Sequence, residues 1–478
     1  MNVPSLEFLG LVIVVAALLA ISERPRWRAT VFLIANLGFV LTFSHEPTQL
    51  APFALLLAGG YVAMRCVQTQ KNPALFTLIV GLLIVAFCWL KRYAFFPPAT
   101  LLPGLYMTVG MSYVFFRILS LVVDSYQGSL PDRVGAVRFL NYTLNFTSFV
   151  SGPIQFYRDY RRDESERPAR LDLTVAARAL ERIVIGFFKV LVVSPVLGYA
   201  HQRCIVAASS LPSPSARVLD ATLILALFPV LLYVNFSGYT DVVIGAARFL
   251  RLDLPENFDR PFSSKSYLEF WSRWHMSLSN WFKTYVYSPL LLALMRRLPS
   301  RSIEPFLGVV VYFGTFFLVG LWHGQTTMFV LLGLLMGLGI SGNKLFQIEM
   351  IRRMGRIPYR TLCSTPLYET LSRGLTFLWL SFTLVFFWAT WPQLTGLVAK
   401  LGVGAIATAM VLTLVVAGVV LSAFTALVDR YIAAFKEGAM ARLADFMRPA
   451  WYTTLAVITT SVVVMLDAPA PHIIYRGF

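Results

Sequence analysis

The stretch Phe306-Leu307-Gly308-Val309-Val310-Val311-Tyr312-Phe313-Gly314-Thr315-Phe316-Phe317-Leu318-Val319-Gly320-Leu321-Trp322-His323-Gly324-Gln325-Thr326-Thr327-Met328-Phe329-Val330 decides the fold class. It closes one apolar block, 304–321, and opens another, 327–343. A helix needs about 17–25 mostly apolar residues to cross a bilayer, and both blocks are of that kind. Working outward, further blocks lie at about 5–22, 29–44, 49–65, 73–90, 101–123, 183–200, 218–236, 372–391, 403–428 and 450–466. They predict an all-α polytopic membrane protein with about 12 transmembrane helices. Composition agrees: 57% of the 478 residues are hydrophobic and 14% charged, with a mean hydropathy of +0.68. A soluble domain holds about 45–50% apolar and about 25% charged residues, so a disordered chain is excluded and the composition argues against a soluble enzyme.

The formal charge is +17. Its Lys and Arg fall in short connections between apolar blocks, the pattern of cytoplasmic loops rather than of nucleic-acid binding. Starting outside, the count places 23–28, 65–72, 124–138, 158–182, 344–371 and 429–448 in the cytoplasm and both termini outside. Lys91 and Arg92 go against this threading. Residues 6–21 lack a basic stretch before them and precede Arg24, Arg26 and Arg28, so they read as a retained span rather than a cleaved signal. The segment 139–156, broken by Ser151-Gly152-Pro153, reads as re-entrant, since such breaks belong where backbone is buried or lines a cavity. Residues 281–295 are a second re-entrant candidate. No linker or repeat divides the chain, so 1–478 reads as a single integral domain.

Polar residues inside apolar blocks are the candidates for chemistry. The run Asn235-Phe236-Ser237-Gly238-Tyr239-Thr240-Asp241 continues a span without a loop. An Asp near membrane depth costs about 2.5–3.5 kcal/mol, so Asp241 must face a partner or a wet cavity. Asn235, Ser237, Tyr239 and Asp241 then either brace two helices or surround a substrate. On one helix Trp271, Trp274, Leu278 and Trp281 share a face. With Arg273 and Lys283 elsewhere on the wheel, that predicts an amphipathic helix in the membrane interface. His275, beside Ser277 and Ser279, either positions a substrate or is a hydrogen-bonded core histidine. His323, between two spans in Leu321-Trp322-His323-Gly324, is suited to general-base chemistry or to capping a helix junction. Gly324 leaves room for substrate or backbone to approach its ring.

Metal binding is not expected. The histidines never pair at i, i+3 or i, i+4, and the four cysteines (Cys66, Cys88, Cys204, Cys363) stand apart. Neither a P-loop nor a GxSxG elbow occurs.

Together these motifs resemble those of bacterial membrane-bound O-acyltransferases. The order runs Gly110-Met111-Ser112-Tyr113, Val123-Asp124-Ser125-Tyr126, Ser151-Gly152-Pro153-Ile154 and Asn235 to Asp241. Pro255-Glu256-Asn257-Phe258, Glu269-Phe270-Trp271, Trp274-His275-Met276-Ser277-Leu278-Ser279 and Leu321-Trp322-His323-Gly324 follow. The motifs occupy about 104–330. The likeness is nearest to the alginate O-acetylase branch and more distant to the teichoic-acid D-alanyl transferase branch. One departure is Tyr287-Ser288-Pro289-Leu290-Leu291-Leu292-Ala293, where that branch continues Tyr-Ile-Pro-Leu-Gly-Gly.

The resemblance implies a thinned, funnel-shaped core with re-entrant and interfacial helices. His323 matches the family's catalytic histidine, and His275 matches the second. Trp274, Ser277, Ser279, Trp322 and Gly324 lie around them. The implied reaction moves an acetyl or other short acyl group from acetyl-CoA or an acyl carrier protein thioester on the cytoplasmic side. Its destination is an extracytoplasmic polysaccharide. No bound cofactor is expected; the partners are the donor, the glycan, membrane lipids and an extracytoplasmic acyltransferase. The setting is a bacterial inner membrane. The surplus of Lys344, Arg352, Arg353, Arg356 and Arg360 in 344–371 either recruits the anionic donor or only sets topology.

The tail 467–478 resembles the aromatic-x-Tyr-x-x-Phe ending of these systems, with Ile473 in place of the first aromatic. That likeness makes Tyr475 an acyl relay; the alternative is a tail that only packs. A different class, a flippase of a lipid-linked or anionic glycan precursor, would need paired broken helices in two symmetric halves, which the sequence lacks.

Overall fold

The computed structural model describes residues 3–44, 46–102, 104, 106–165, 172–208, 213–300, 302–434 and 439–466. Among them the regular structure is helical, apart from an isolated antiparallel bridge between Phe258 and Trp274. The helices belong to two compact units. The first holds α1 (Leu6–Ile21), α2 (Pro25–Leu41), α3 (Pro47–Thr69), α4 (Pro73–Leu90), α5 (Met111–Gln127), α6 (Ala136–Thr143) and α7 (Tyr157–Ser165). To these it adds α8 (Leu173–Phe188) up to Phe187.

The second unit holds α9 (Ser194–Ala207), α10 (Pro214–Phe249) up to Ser237, α11 (Tyr267–Arg273), α12 (Met276–Phe282) and α13 (Ser288–Arg297). It continues through α14 (Glu304–Trp322), α15 (Thr327–Met354), α16 (Arg356–Cys363), α17 (Pro366–Trp388), α18 (Trp391–Leu401), α19 (Val403–Ala434) and α20 (Ala439–Leu466). Residues 238–256, which include the end of α10, belong to the first unit.

All twelve apolar blocks contain helix, but eight helices among the described residues are long and apolar enough to cross a membrane. These are α3, α4, α10, α14, α15, α17, α19 and the continuous run Leu173–Ala207, which passes from α8 to α9 through a π turn at Lys189–Val193. The remaining four blocks, at α1, α2, α5 and α20, form helices outside that set. The block 101–123 is corrected most. Its helix begins only at Met111, after Gly110 at φ +73°, and its residues from Met111 to Val122 are all buried. A helix buried on every side is a core helix.

In the first unit the segment 139–156 is α-helical only to Thr143, with a 3₁₀ turn at Phe146–Ser148, and residues 141–155 are all buried. Its irregular backbone needs donors. The fully buried Arg117 supplies them, to Thr143 O (2.9 Å), Ser148 O (2.8 Å) and Ser148 Oγ (2.6 Å). Asn36 Oδ1 accepts from Phe146 N at 2.8 Å. Burial raises the Asp163 carboxyl above its ordinary range, while Gln155 Nε2 (2.8 Å) and Asp253 N (2.9 Å) donate to it.

In the second unit glycines let spanning helices touch through their backbones. A Cβ on Gly320 of α14 would lie 2.1 Å from Gly333 Cα of α15. Between α17 and α19, a Cβ on Gly374 would lie 2.1 Å from Leu414 O. Residues 281–295, expected to be re-entrant, continue α12 through a π turn at Lys283–Tyr287 into α13 as unbroken helix.

Candidate active site

His323 lies where α14 ends. Its backbone N donates to Gly320 O at 3.1 Å, so the Gly320–Gly333 contact one turn earlier fixes where the imidazole leaves the helix. The side chain is 5% exposed, with its ring centroid 4.7 Å from Trp322 and 5.4 Å from Phe387. Gly324 does not open a path for substrate here. A Cβ on it would stand 2.2 Å from Phe329 Cε2, so the glycine admits the Phe329 ring.

His275 is reached differently. The single amphipathic helix expected over 271–281 is broken. Trp274 is extended and His275 takes φ +43°, a left-handed conformation that costs a non-glycine residue energy. What holds the break is the segment 257–259. Asn257 O accepts from Met276 N (3.0 Å), and Asp259 N donates to Arg273 O (3.0 Å). Asn257 Oδ1 accepts from Ser277 N (3.2 Å) and Ser277 Oγ (2.6 Å), capping α12 from outside its own chain segment.

The break turns His275 inward, 1% exposed, with the Phe236 ring edge-on at 4.8 Å. Phe258 packs on both Phe236 (5.2 Å) and Trp274 (5.1 Å), completing an apolar wall. Trp271, Trp274, Leu278 and Trp281 are therefore core residues rather than a membrane-interface stripe. Ser279 N donates to His275 O (3.0 Å) and its hydroxyl to Trp274 O (3.3 Å), so Ser279 stabilises the break.

Both imidazoles are buried in the same unit. Asn235 shares their unit and donates to Ser194 Oγ at 3.1 Å; Ser237 is buried there too. Tyr239 and Asp241 fall in the first unit. Tyr239 Oη accepts from Ser151 N (3.3 Å), and Asp241 accepts from Arg182 Nε (3.0 Å), whose other nitrogens meet both Glu256 oxygens at 2.5 Å. Both have the partners that a bracing network requires. Tyr475 and the tail 467–478 lie outside the described residues. Asn257, Phe236 and Phe387 were not anticipated as site residues. Asn257 was visible as part of a motif, whereas Phe387 is one apolar residue among many in a span.

Two buried histidines in one unit, His323 at the end of the glycine-packed span α14 and His275 in the break before α12, fit base chemistry on an uncharged substrate group. The sequence model described as the membrane-bound O-acyltransferase family matches residues 105–371, which include both histidines. The chain belongs to the membrane-bound O-acyltransferase family. Among relatives, the teichoic acid D-alanyltransferase of Bacillus subtilis strain 168 is 28% identical over 343 residues, 68% of this chain and 83% of that protein. The probable alginate O-acetylase of Pseudomonas fluorescens is 26% identical over 322 residues, 67% of this chain and 61% of its own length. That of Pseudomonas aeruginosa is 28% identical over 235 residues, 49% of this chain and 42% of its own length. Both branches of the membrane-bound O-acyltransferases named from the motifs are thus represented.

Proposed function

We propose that this membrane-bound O-acyltransferase carries an acetyl or other short acyl group from a cytoplasmic thioester towards an extracytoplasmic polysaccharide, in a bacterial inner membrane. The donor is acetyl-CoA or an acylated carrier protein. The observation that carries this reading is the burial of both His323 and His275 within the family-matched region.

In the proposed reaction the neutral His323 imidazole takes the proton of an acceptor hydroxyl as its oxygen adds to the thioester carbonyl. Collapse of the tetrahedral intermediate breaks the C–S bond, and the imidazolium returns its proton to the leaving thiolate. The histidine ends as it began, and an ester replaces a thioester. General-base catalysis contributes about 10²–10⁴-fold; holding the two substrates together away from water supplies the rest. His275, fixed by the Asn257–Ser277 contacts, positions the reacting groups.

Tyr475 is the proposed acceptor. Its phenol would take the acyl group and offer it to a secreted partner acyltransferase that acts on the glycan. The test is incubation of purified protein with radiolabelled acetyl-CoA or acetylated carrier protein. Label should pass to protein or acceptor with wild type and not with His323→Ala. Transfer of D-alanyl but not acetyl groups would replace the acyl assignment, and no transfer from any thioester would remove the reading.

A further inference from the structure

We infer that Arg373 is a positioning residue that holds His275 in place from outside the family-matched stretch 105–371. It lies in the spanning helix α17 and is 7% exposed. An ionisable side chain buried in a span is a functional candidate by default, and the proton transfers proposed above do not use this one.

Its contacts grip the segment that makes the break before α12. Arg373 Nε donates to Ser263 O (3.2 Å) and Nη1 donates to Ser422 Oγ of α19 (3.0 Å), while Nη2 lies 3.5 Å from Glu369 Oε2. One turn earlier on α17, Glu369 is also ion-paired with Lys265. Side chains of α17 therefore hold the chain on either side of Ser264. Asp429 of α19 adds a further hold, accepting from Arg260 Nη1 at 2.8 Å. Between these anchors is a 3₁₀ turn, Pro261–Ser263, whose Phe262 ring stands 5.6 Å from Phe377 of α17 and 6.4 Å from Trp274. One end of the segment 257–265 is thus tied to α17 and α19. At the other end Asn257 and Asp259 bind the backbone of Arg273, Met276 and Ser277.

The anchor opposes a specific alternative. Trp271, Trp274, Leu278 and Trp281 keep helical spacing across the break, so a slackened segment lets 271–281 join as one helix. Successive residues of a helix are about 100° apart. With the tryptophans kept in the core, His275 would turn away from the Trp274 face by about that angle and leave the Phe236 ring. Arginine suits the task, because its planar fork reaches a carbonyl, a hydroxyl and a carboxylate at once, a geometry that a lysine ammonium does not hold. The hold on His275 is independent of the acyl group transferred; its effect on turnover rests on the reaction proposed above.

The experiment treats the full chain in detergent with diethyl pyrocarbonate, which carbethoxylates accessible neutral imidazoles, and follows His275 and His323 separately by peptide mass spectrometry. His323 is the control within the molecule, since general unfolding exposes both rings. Loss of a hydrogen bond from a charged group should raise His275 labelling relative to His323 by about tenfold or more in Arg373→Gln. Arg373→Lys should fall between that variant and wild type. Asp429→Asn cuts the exposed anchor on α19 and leaves no buried charge unpaired, so it should raise the same ratio by less and decides the matter if Arg373→Gln does not fold. Acyl transfer should fall in the same order. A ratio unchanged in both Arg373→Gln and Asp429→Asn, or labelling of the two histidines that rises together, overturns the inference. A raised ratio with full acyl transfer overturns the positioning role and leaves the acyltransferase reading intact. Wild type that transfers from no thioester removes that reading, and the labelling ratio still decides whether Arg373 holds His275.

Discussion

Gly320 and Gly333 are in backbone contact, so close that a Cβ on Gly320 would lie 2.1 Å from Gly333 Cα. No rotamer relieves that overlap, so Gly320→Ala must part α14 from α15. Overpacking costs about 1–3 kcal/mol, and a displacement of about 1 Å at a reacting group can cost 10²-fold in rate. We expect Gly320→Ala to lower the melting temperature in detergent and to reduce acyl transfer at least about tenfold. Gly314→Ala on the same helix meets nothing within 4 Å and should leave both intact. Equal behaviour of the two variants would show that this contact does not position His323.

The two histidines should separate kinetically. His323→Ala removes the proposed base and should lower kcat by at least about 10²-fold with little effect on expression or detergent stability. His275→Ala should be less damaging and act on KM as well as kcat, because its role is positioning. A fully inactive His275→Ala beside an active His323→Ala reverses the two assignments.

How these residues are reached marks the limit of sequence reading. The place of His323 between two helices was legible because it separates two apolar blocks, and an ionisable group there is a functional candidate by default. The break before α12 was not, because helical periodicity across Trp271, Trp274, Leu278 and Trp281 is unblemished. What overrides it is the remote Asn257, whose carbonyl and side chain capture Met276 N, Ser277 N and Ser277 Oγ. Similarly, block 101–123 has the apolar content of a span, but Pro97, Pro98 and Gly104 precede a helix that starts only at Met111. Phe387 carried no signal at all, since its value lies in which ring it meets.

Arg117 offers a prediction about the scaffold. It satisfies two carbonyls and a hydroxyl of an irregular buried segment. Arg117→Met keeps the volume and removes every donor, leaving Thr143 O and Ser148 O to lose their partner. Each unsatisfied buried acceptor costs about 1–3 kcal/mol. We expect a variant that expresses poorly or melts well below wild type, with Arg117→Lys intermediate because one ammonium lacks the planar fork. A wild-type melting curve for Arg117→Met would mean that water or a rearranged backbone serves these carbonyls.

The last prediction separates relay from packing at Tyr475. A phenol ionises near pH 10, so a neighbouring imidazole can assist its deprotonation, and a phenyl ester is a more activated acyl donor than an alkyl ester. Tyr475→Phe keeps the ring and removes only the nucleophilic oxygen. If the phenol relays the acyl group, this variant should consume thioester only at the background rate and leave the glycan unmodified. It should also retain wild-type thermal stability. Trapping wild type with labelled donor in the absence of the partner acyltransferase should leave label on the C-terminal peptide, as an ester sensitive to mild base. If Tyr475→Phe modifies the glycan at the normal rate, the acyl group passes directly from thioester to the final hydroxyl, and His323 then activates that hydroxyl instead.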